Sequence, residues 1–220
     1  TVQDLAGQWT VEALSDELSR LADLILEQTL IHAWQSVPKR HLDAPKFAII
    51  AYGKLGGKEL GYASDLDLVF LYEVDAPDAA DKYVKLSRRL STWLSGSTGA
   101  GCLYDIDLRL RPNGEEGFLA HSLAAFEKYQ REQAWTWEHQ ALTRARFICG
   151  NAEIGAKFED IRRSILTQPR DKARLKQEII AMREKMFATH PPEEGNVKYA
   201  RGGVVDVVFI VQYLVLAESG

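Results

Sequence analysis

The chain is 220 residues long, 46% hydrophobic and 26% charged. A domain of this size buries roughly 70% of the surface its unfolded chain exposes, so it needs no staples; the composition excludes intrinsic disorder, a collagen repeat and a disulfide scaffold. Its 27 Lys+Arg against 31 Asp+Glu give a formal charge of -4, which is no footprint for duplex nucleic acid, although a local basic cluster can still hold phosphate.

Residues 10–36 set Val11, Leu14, Leu18, Leu21, Ile25 and Leu26 mostly three and four apart, one face of an amphipathic helix. Proline lacks an amide donor and turns its predecessor away from helix, so Val37-Pro38 marks the end. Phe47 to Tyr52 is a short apolar run closed by Gly53 and reads as a strand buried on both faces. A glycine-rich loop runs from Gly53 to Gly61. Asp65 to Tyr72 opens with strict alternation, a second strand. Asp81 to Leu94 reads as helix, residues 96–101 as a flexible loop, and Leu103 to Leu110 as a third strand with Asp105, Asp107 and Arg109 on one face. Pro112-Asn113-Gly114 ends it as a turn.

From Ser122 the pattern turns helical. Ser122 is placed to cap a helix from Ala124 to Gln133, and Trp135 to Ile148 continues helically to Gly150-Asn151. Two more helices are expected at 152–167 and 171–188, then a polar loop from Thr189 to Gly203, then an apolar helix from Val204. The fold class is α+β: a small mixed sheet with flanking helices, then a helical region. The division expected is 1–120, an N-terminal helix plus the sheet domain, and 121–220, a helical domain truncated at its C-terminus.

Cys102 and Cys149 sit beside apolar residues, in no metal or redox spacing, and read as small core residues in a reducing compartment. The apolar stretch from Val204 to Ala217 is interrupted by Asp206 and Gln212 and is too short to span a bilayer. No signal-peptide pattern is visible. A cytoplasmic protein without membrane partners is expected. The chain opens at Thr1 without Met and stops at Gly220 inside a helical pattern, which reads as a segment of something longer.

The informative constellation is Gly53-Lys54, ten intervening residues, then Asp65-Leu66-Asp67, with Asp107 on a later strand. Residues i and i+2 of a strand share a face, their α-carbons about 6.6 Å apart. Two unpaired carboxylates there repel and are costly to bury. A divalent cation removes the conflict; Mg2+ takes hard oxygen ligands and keeps room for substrate phosphates. A third carboxylate from Asp107 would let the face hold two ions, roughly 3.5–4 Å apart, in line with an attacking and a leaving oxygen. Glycines at 53, 56 and 57 would let backbone amides approach a polyphosphate. Taken singly, an Asp-x-Asp is usually a solvated edge and a glycine loop usually a turn; their conjunction favours the site. Other phosphate motifs fail: Lys58 falls five residues after Gly53, the wrong place for a P-loop, and Leu55 stands where a dinucleotide fingerprint needs glycine.

Gly53-Lys54 with Asp65 and Asp67 resembles the signature of the DNA polymerase β-type nucleotidyltransferase superfamily, although Lys54 stands where many members carry Ser or Gly. More narrowly, residues 47–72, FAIIAYGKLGGKELGYASDLDLVFLY, resemble the bacterial glutamate–ammonia-ligase (glutamine synthetase) adenylyltransferase/adenylyl-removing family, where lysine after the glycine is normal. LYDIDLRLRP (103–112), WTWEHQALTRAR (135–146) and GGVVDVVFIVQYL (202–214) continue the likeness. One departure is Val208, where the family pattern has an acidic residue after Asp206.

The resemblance implies two such domains per protein, one removing AMP from glutamine synthetase by phosphorolysis and one adding AMP to a tyrosine. ELGYASDLDL and WTWEHQAL look more like the adenylylating domain. It implies ATP as substrate, Mg2+ or alternatively Mn2+ as cofactor, glutamine synthetase as protein substrate, and the nitrogen-regulatory PII protein and glutamine as regulators. By resemblance and geometry Asp65, Asp67 and Asp107 are the metal-binding and catalytic residues, and Asp107 is expected to help deprotonate the attacking hydroxyl. Arg109 and Arg111 are candidates for the triphosphate or pyrophosphate, since guanidinium forks match phosphate oxygens; neutralising Asp105 and Asp107 is their plainer role. Lys54 and Ser64 are further phosphate candidates, with a surface lysine and a turn cap as the plain alternatives. Trp135 and Trp137 are expected in the core. Glu138, Arg144 and Arg146 are expected to form ion pairs along one helix. His121, His139 and His190 share no ligand spacing.

Overall fold

The computed structural model of the chain describes residues 2–74, 76–99, 101–191 and 195–219. A short helix, α1 (Val2–Leu5), precedes α2 (Val11–Gln35). Thr10 starts α2: its hydroxyl oxygen accepts the Ala13 amide at 3.3 Å, one of the donors the first turn leaves without a partner. The stripe that α2 buries is Ser19, Ala22, Leu26, Leu30, Ala33 and Trp34. Val11 and Leu21, expected inward, are exposed. Leu18, Ile25 and Leu26 of the expected face do pack against the core, and small residues at 19, 22 and 33 extend the buried stripe and let the helix lie close to its neighbours.

Strand β1 (Phe47–Ala51) runs antiparallel to β2 (Leu66–Tyr72), in register from Phe47 opposite Tyr72 to Ala51 opposite Leu68. Between them Gly53–Gly56 close a single helical turn, α3, inside the expected loop. Helix α4 (Ala79–Ser95) then returns the chain to β3 (Ile106–Asp107), parallel to the start of β2. The eight-residue strand expected at 103–110 shrinks to these two residues. Past Asp107 the backbone turns, with the Arg111 amide bonded to the Leu108 carbonyl at 3.2 Å and Asn113 and Gly114 both at positive φ. The end of β2 instead takes β4 (Ala120–Ser122), also parallel.

Ser122 caps α5 (Leu123–Glu132) as expected, accepting the Ala125 amide at 3.2 Å. The helix expected over 135–148 is two elements. Helix α6 (Thr136–Leu142) stops, and β5 (Arg146–Gly150) pairs antiparallel with the free edge of β1. A central strand needs partners on both edges for its amides and carbonyls, and this tertiary demand overrides local helix propensity. Gly150, at φ +109°, makes the close approach possible: a Cβ there would lie 3.0 Å from the Ala48 α-carbon and still nearer the Phe47 carbonyl. Helices α7 (Ala152–Leu166), α8 (Lys172–Thr189) and α9 (Val204–Glu218) follow; Asn151 and Asp171 cap the first two through their side chains.

The result is a mixed sheet ordered β3-β2-β1-β5, with β4 also on β2, in the α+β class. Its fifth strand comes from beyond residue 120. Phe47, Ile49, Leu68 and Phe70 pack towards α2 and α4. Ala48, Ile50, Val69 and Leu71 pack towards α5 and α7 on the other face. Both faces are covered, which is why every residue of β1 is buried and the sequence runs apolar without alternation. Cys149 is buried, but Cys102 is exposed. Trp135 is 71% exposed and Trp137 36%, so neither is the core residue expected. No helix among the described residues is long and apolar enough to cross a membrane.

Candidate functional site

Pairing places the three acidic residues. Asp65 immediately precedes β2 and Asp67 is its second residue, two positions on and on the same face. The parallel register of β2 with β3 sets Asp107 directly beside Asp67. Two backbone bonds hold the junction: the Leu66 amide to the Asp105 carbonyl at 2.9 Å, and the Tyr52 amide to the Asp67 carbonyl at 2.9 Å. Asp65, Asp67 and Asp107 each offer a carboxylate oxygen, all within 4.8 Å of one another. Asp105 is exposed and outside that group, though it borders the same open cavity of about 370 Å3 with Arg109 and Arg111.

Gly53 is part of the same construction. Its φ is +54°, and an added Cβ would stand 2.9 Å from Cγ of Asp67 and closer still to Oδ2. A residue with a side chain would be strained here and would push the carboxylate out of the cluster. Gly56 has another reason for being small: the Arg144 and Ala51 carbonyls occupy the space a Cβ would take. Gly57 lies beside the Arg144 guanidinium. Thus of the three glycines, Gly53 shapes the acidic cluster, and Gly56 and Gly57 pack against the turn after α6.

The electrostatics follow from this crowding. Burial, then the charges of Asp65 and Asp107, push the Asp67 pKa up to about 6. Asp107 goes the other way. The hydrogen bond from Arg109 holds it below the ordinary carboxylate range. The Arg109 guanidinium forks over both Asp107 oxygens, with Nε 2.8 Å from Oδ2, and the Arg109 amide donates to Oδ1 at 2.8 Å. A carboxylate so stabilised stays ionised and is a poor proton acceptor, and a cation would share its oxygens with the guanidinium. Lys54 Nζ lies 3.7 Å from Asp65. The Ser64 hydroxyl oxygen accepts the Gly61 amide at 3.0 Å, a turn contact. Arg111 is buried and donates to the Leu108 carbonyl at 2.6 Å, holding the turn after β3.

The cluster fits a hard divalent cation. Three carboxylates converge, one of them disfavoured as an anion by burial and then by the other two, which is the conflict that a bound dication resolves. Mg2+ and Mn2+ both take such an oxygen set. No histidine or cysteine joins a ligand cluster among the described residues.

Several supporting residues were hidden in the sequence. Arg146, on β5, forks onto Asp23 of α2 at 2.8 and 3.0 Å and donates to the Leu55 carbonyl of α3 at 3.1 Å. Arg144 pairs with Glu59. Glu138 is buried, accepting the Trp135 amide at 2.9 Å and the Tyr129 hydroxyl at 2.9 Å. Glu138 thus closes the start of its own helix, and Arg144 and Arg146, expected to pair along that helix, make long-range ties instead. They brace the turn that carries Gly53 and Lys54. Their partners lie too far away in the chain for any local pattern to reveal.

The family model for glutamate-ammonia ligase adenylyltransferase matches residues 1–161. The chain belongs to this family. Among curated members, the bifunctional glutamine synthetase adenylyltransferase/adenylyl-removing enzyme of Neisseria meningitidis serogroup B is 69% identical over 218 residues, covering 99% of this chain. The proteins of the same name from Chromobacterium violaceum and Nitrosomonas europaea are 62% and 58% identical, each over 99% of the chain. The chain spans 24% of the length of each of these three adenylyltransferase relatives.

Proposed function

We propose that this chain is a nucleotidyltransferase unit that moves AMP from ATP to a tyrosine of glutamine synthetase and releases pyrophosphate. The observation that carries the proposal is the convergence of Asp65, Asp67 and Asp107 within 4.8 Å, beside a glycine that must lack a side chain for Asp67 to sit there. Family membership and the names of the relatives support the substrate class.

Asp65, Asp67 and Asp107 would hold Mg2+ or Mn2+, one ion or two. Bound there, such ions polarise the α-phosphate and stabilise the charge that develops on the attacking and leaving oxygens. The chain's own residues do the rest. Gly53 keeps Asp67 in the cluster. Arg109 keeps Asp107 ionised, so the Asp107 carboxylate serves as a ligand in preference to a proton acceptor. Lys54 lies at the rim, with its side chain 46% exposed, where it can turn to the triphosphate and offset its charge, while Arg109 stays on Asp107. Gly56, Gly57, Ser64 and Arg111 support them by shaping the turns on either side. In the whole protein we place this unit in the cytoplasm, within a two-domain enzyme answering to PII protein and glutamine, with the transferase domain reaching at least through β5 to Gly150, beyond the boundary at 120 expected from the sequence.

The relatives' printed name also contains the adenylyl-removing activity, so the phosphorolytic direction is the second reading. One assay separates them. With α-labelled ATP and unmodified glutamine synthetase, the adenylylating reading gives labelled synthetase and pyrophosphate. With AMP-modified synthetase and phosphate, the removing reading gives ADP. D65N and D67N, folded but inactive, are expected in either case. Normal AMP transfer by these variants overturns the site; ADP formation without transfer overturns the direction. A unit that binds nucleotide and turns over in neither assay is a regulatory module.

A further inference from the structure

We infer that the groove along α4 is a docking surface for an acidic segment of a protein partner, independent of the acidic cluster. The groove is an open cavity of about 770 Å3 between the loop after α2 and the outer face of α4. Lys82, Lys85, Arg88 and Arg89 line it from the helix, and Lys39 faces them from the loop after α2. Two acidic residues, Asp78 and Asp81, sit at one end, leaving three net positive charges in a chain whose formal charge is -4. A local excess of the sign opposite to the whole marks a surface that selects and orients a charged partner.

The placement of the charges is specific. Lys85, Arg88, Arg89, Thr92 and Trp93 stand at steps of three and four, one continuous stripe of the helix. Lys82 pairs with Asp78 at 2.8 Å, and Arg89 donates to the Ser36 hydroxyl at 2.8 Å. Lys39, Lys85 and Arg88 are exposed, and among the described residues none of these three has an ion-pair partner. Trp93, 43% exposed, closes the other end. Tryptophan and arginine are the side chains that most often dominate protein interfaces. The surface therefore reads, from one end to the other, acidic, basic, then aromatic.

That order chooses the partner. A nucleic acid carries uniform negative charge along its length and would meet Asp78 and Asp81 at one end, a repulsion that stacking on Trp93 at the other end does not remove. A peptide can carry acidic side chains in its middle and an apolar residue at its end. From Lys82 to Trp93 the helix rises about 16 Å, the length of about five residues of extended chain. The segment that fits is thus a short run of Glu or Asp followed by a large apolar residue.

The test uses the full chain and a fluorescein-labelled peptide of four glutamates followed by leucine, read by fluorescence anisotropy at low salt. K85E/R88E is expected to weaken binding about tenfold, since each reversal removes an attraction and adds a repulsion. K128E/K176E makes the same change in net charge at exposed lysines outside the groove and is expected to change binding less than twofold. W93A is expected to weaken the leucine-ended peptide several-fold more than one ending in glycine. The neutral pair K85Q/R88Q, with an unchanged melting temperature, keeps the test sound if the reversal disturbs folding. The inference is overturned if the chain does not bind the peptide, if K128E/K176E weakens binding as much as K85E/R88E, or if a ten-nucleotide oligothymidylate binds the groove more tightly than the peptide.

Discussion

Replacing Gly53 with alanine puts a methyl group 2.9 Å from Cγ of Asp67 and nearer still to its Oδ2, at a backbone φ of +54°. Two costs follow. A non-glycine residue in the left-handed region costs about 1–2 kcal/mol, which for a chain of this length lowers the melting temperature by roughly 2–8 °C. The second cost falls on function. Asp67 has to swing out of the cluster to clear the methyl group, and a ligand displaced by about 1 Å can lower turnover on the order of a hundredfold. The neighbouring glycines calibrate the effect. In G56A the new Cβ meets two backbone carbonyls, Arg144 and Ala51, which cannot swivel aside, so the stability loss is expected to exceed that of G53A. In G57A it meets only the flexible ends of Arg144 and Glu59, and little is lost. Thermal melts should therefore rank G56A below G53A below G57A, while AMP transfer per folded molecule should be lowest for G53A. If G53A retains transfer within twofold of the parent chain, Asp67 is not held in place as described.

Three other expectations rest on single observations. Asp67 takes up a proton near pH 6 in the fold but near 3.8 when free of its surroundings; between those values the folded chain holds the extra proton, so in the metal-free protein this group's contribution to stability falls as pH rises through that window. A divalent ion competes with the same proton, so Mg2+ should raise the melting temperature more at pH 7.5 than at pH 5, and an equal shift at both would contradict the assignment. R146M strands Asp23 and the Leu55 carbonyl and should cost about 1–3 kcal/mol in urea unfolding; a loss below about 0.5 kcal/mol would mean the fork carries little. Asn151 accepts the Ile154 amide at 3.0 Å, so N151A should cost about 0.5–2 kcal/mol, read by thermal melting.

The shared face of Asp65 and Asp67 was legible because strand geometry is local: two positions along one strand share a face, and the apolar run at 47–52 announces a strand covered on both sides, whereas the alternation that opens the second strand hid how fully it is buried. Asp107 was legible for a different reason than its alternating pattern implied. The strand around it is two residues long, and the register with Asp67 does the placing. Residues 146–150 were misread as helix because five residues after a helical pattern carry no period of their own, and only the open edge of β1 explains them. The inward face of α2 was legible in part: Leu26 is buried and Leu18 and Ile25 pack against the core, while Val11 and Leu21 are exposed, and the serine and alanines at 19, 22 and 33 leave no hydrophobic mark. Arg144 and Arg146 were assigned to helical ion pairs when their partners, Glu59 and Asp23, lie far back in the chain. Arg109 sits on Asp107, the neutralising role that competed with phosphate binding from the start.

The most direct measurement is the binding of Mn2+ to the chain, followed by loss of the free-ion signal in electron paramagnetic resonance. The parent chain should bind the ion, and D65N, D67N and D107N, each folded by circular dichroism, should bind it at least about tenfold more weakly. Equal binding by the parent and all three variants would show that the acidic cluster does not hold the metal.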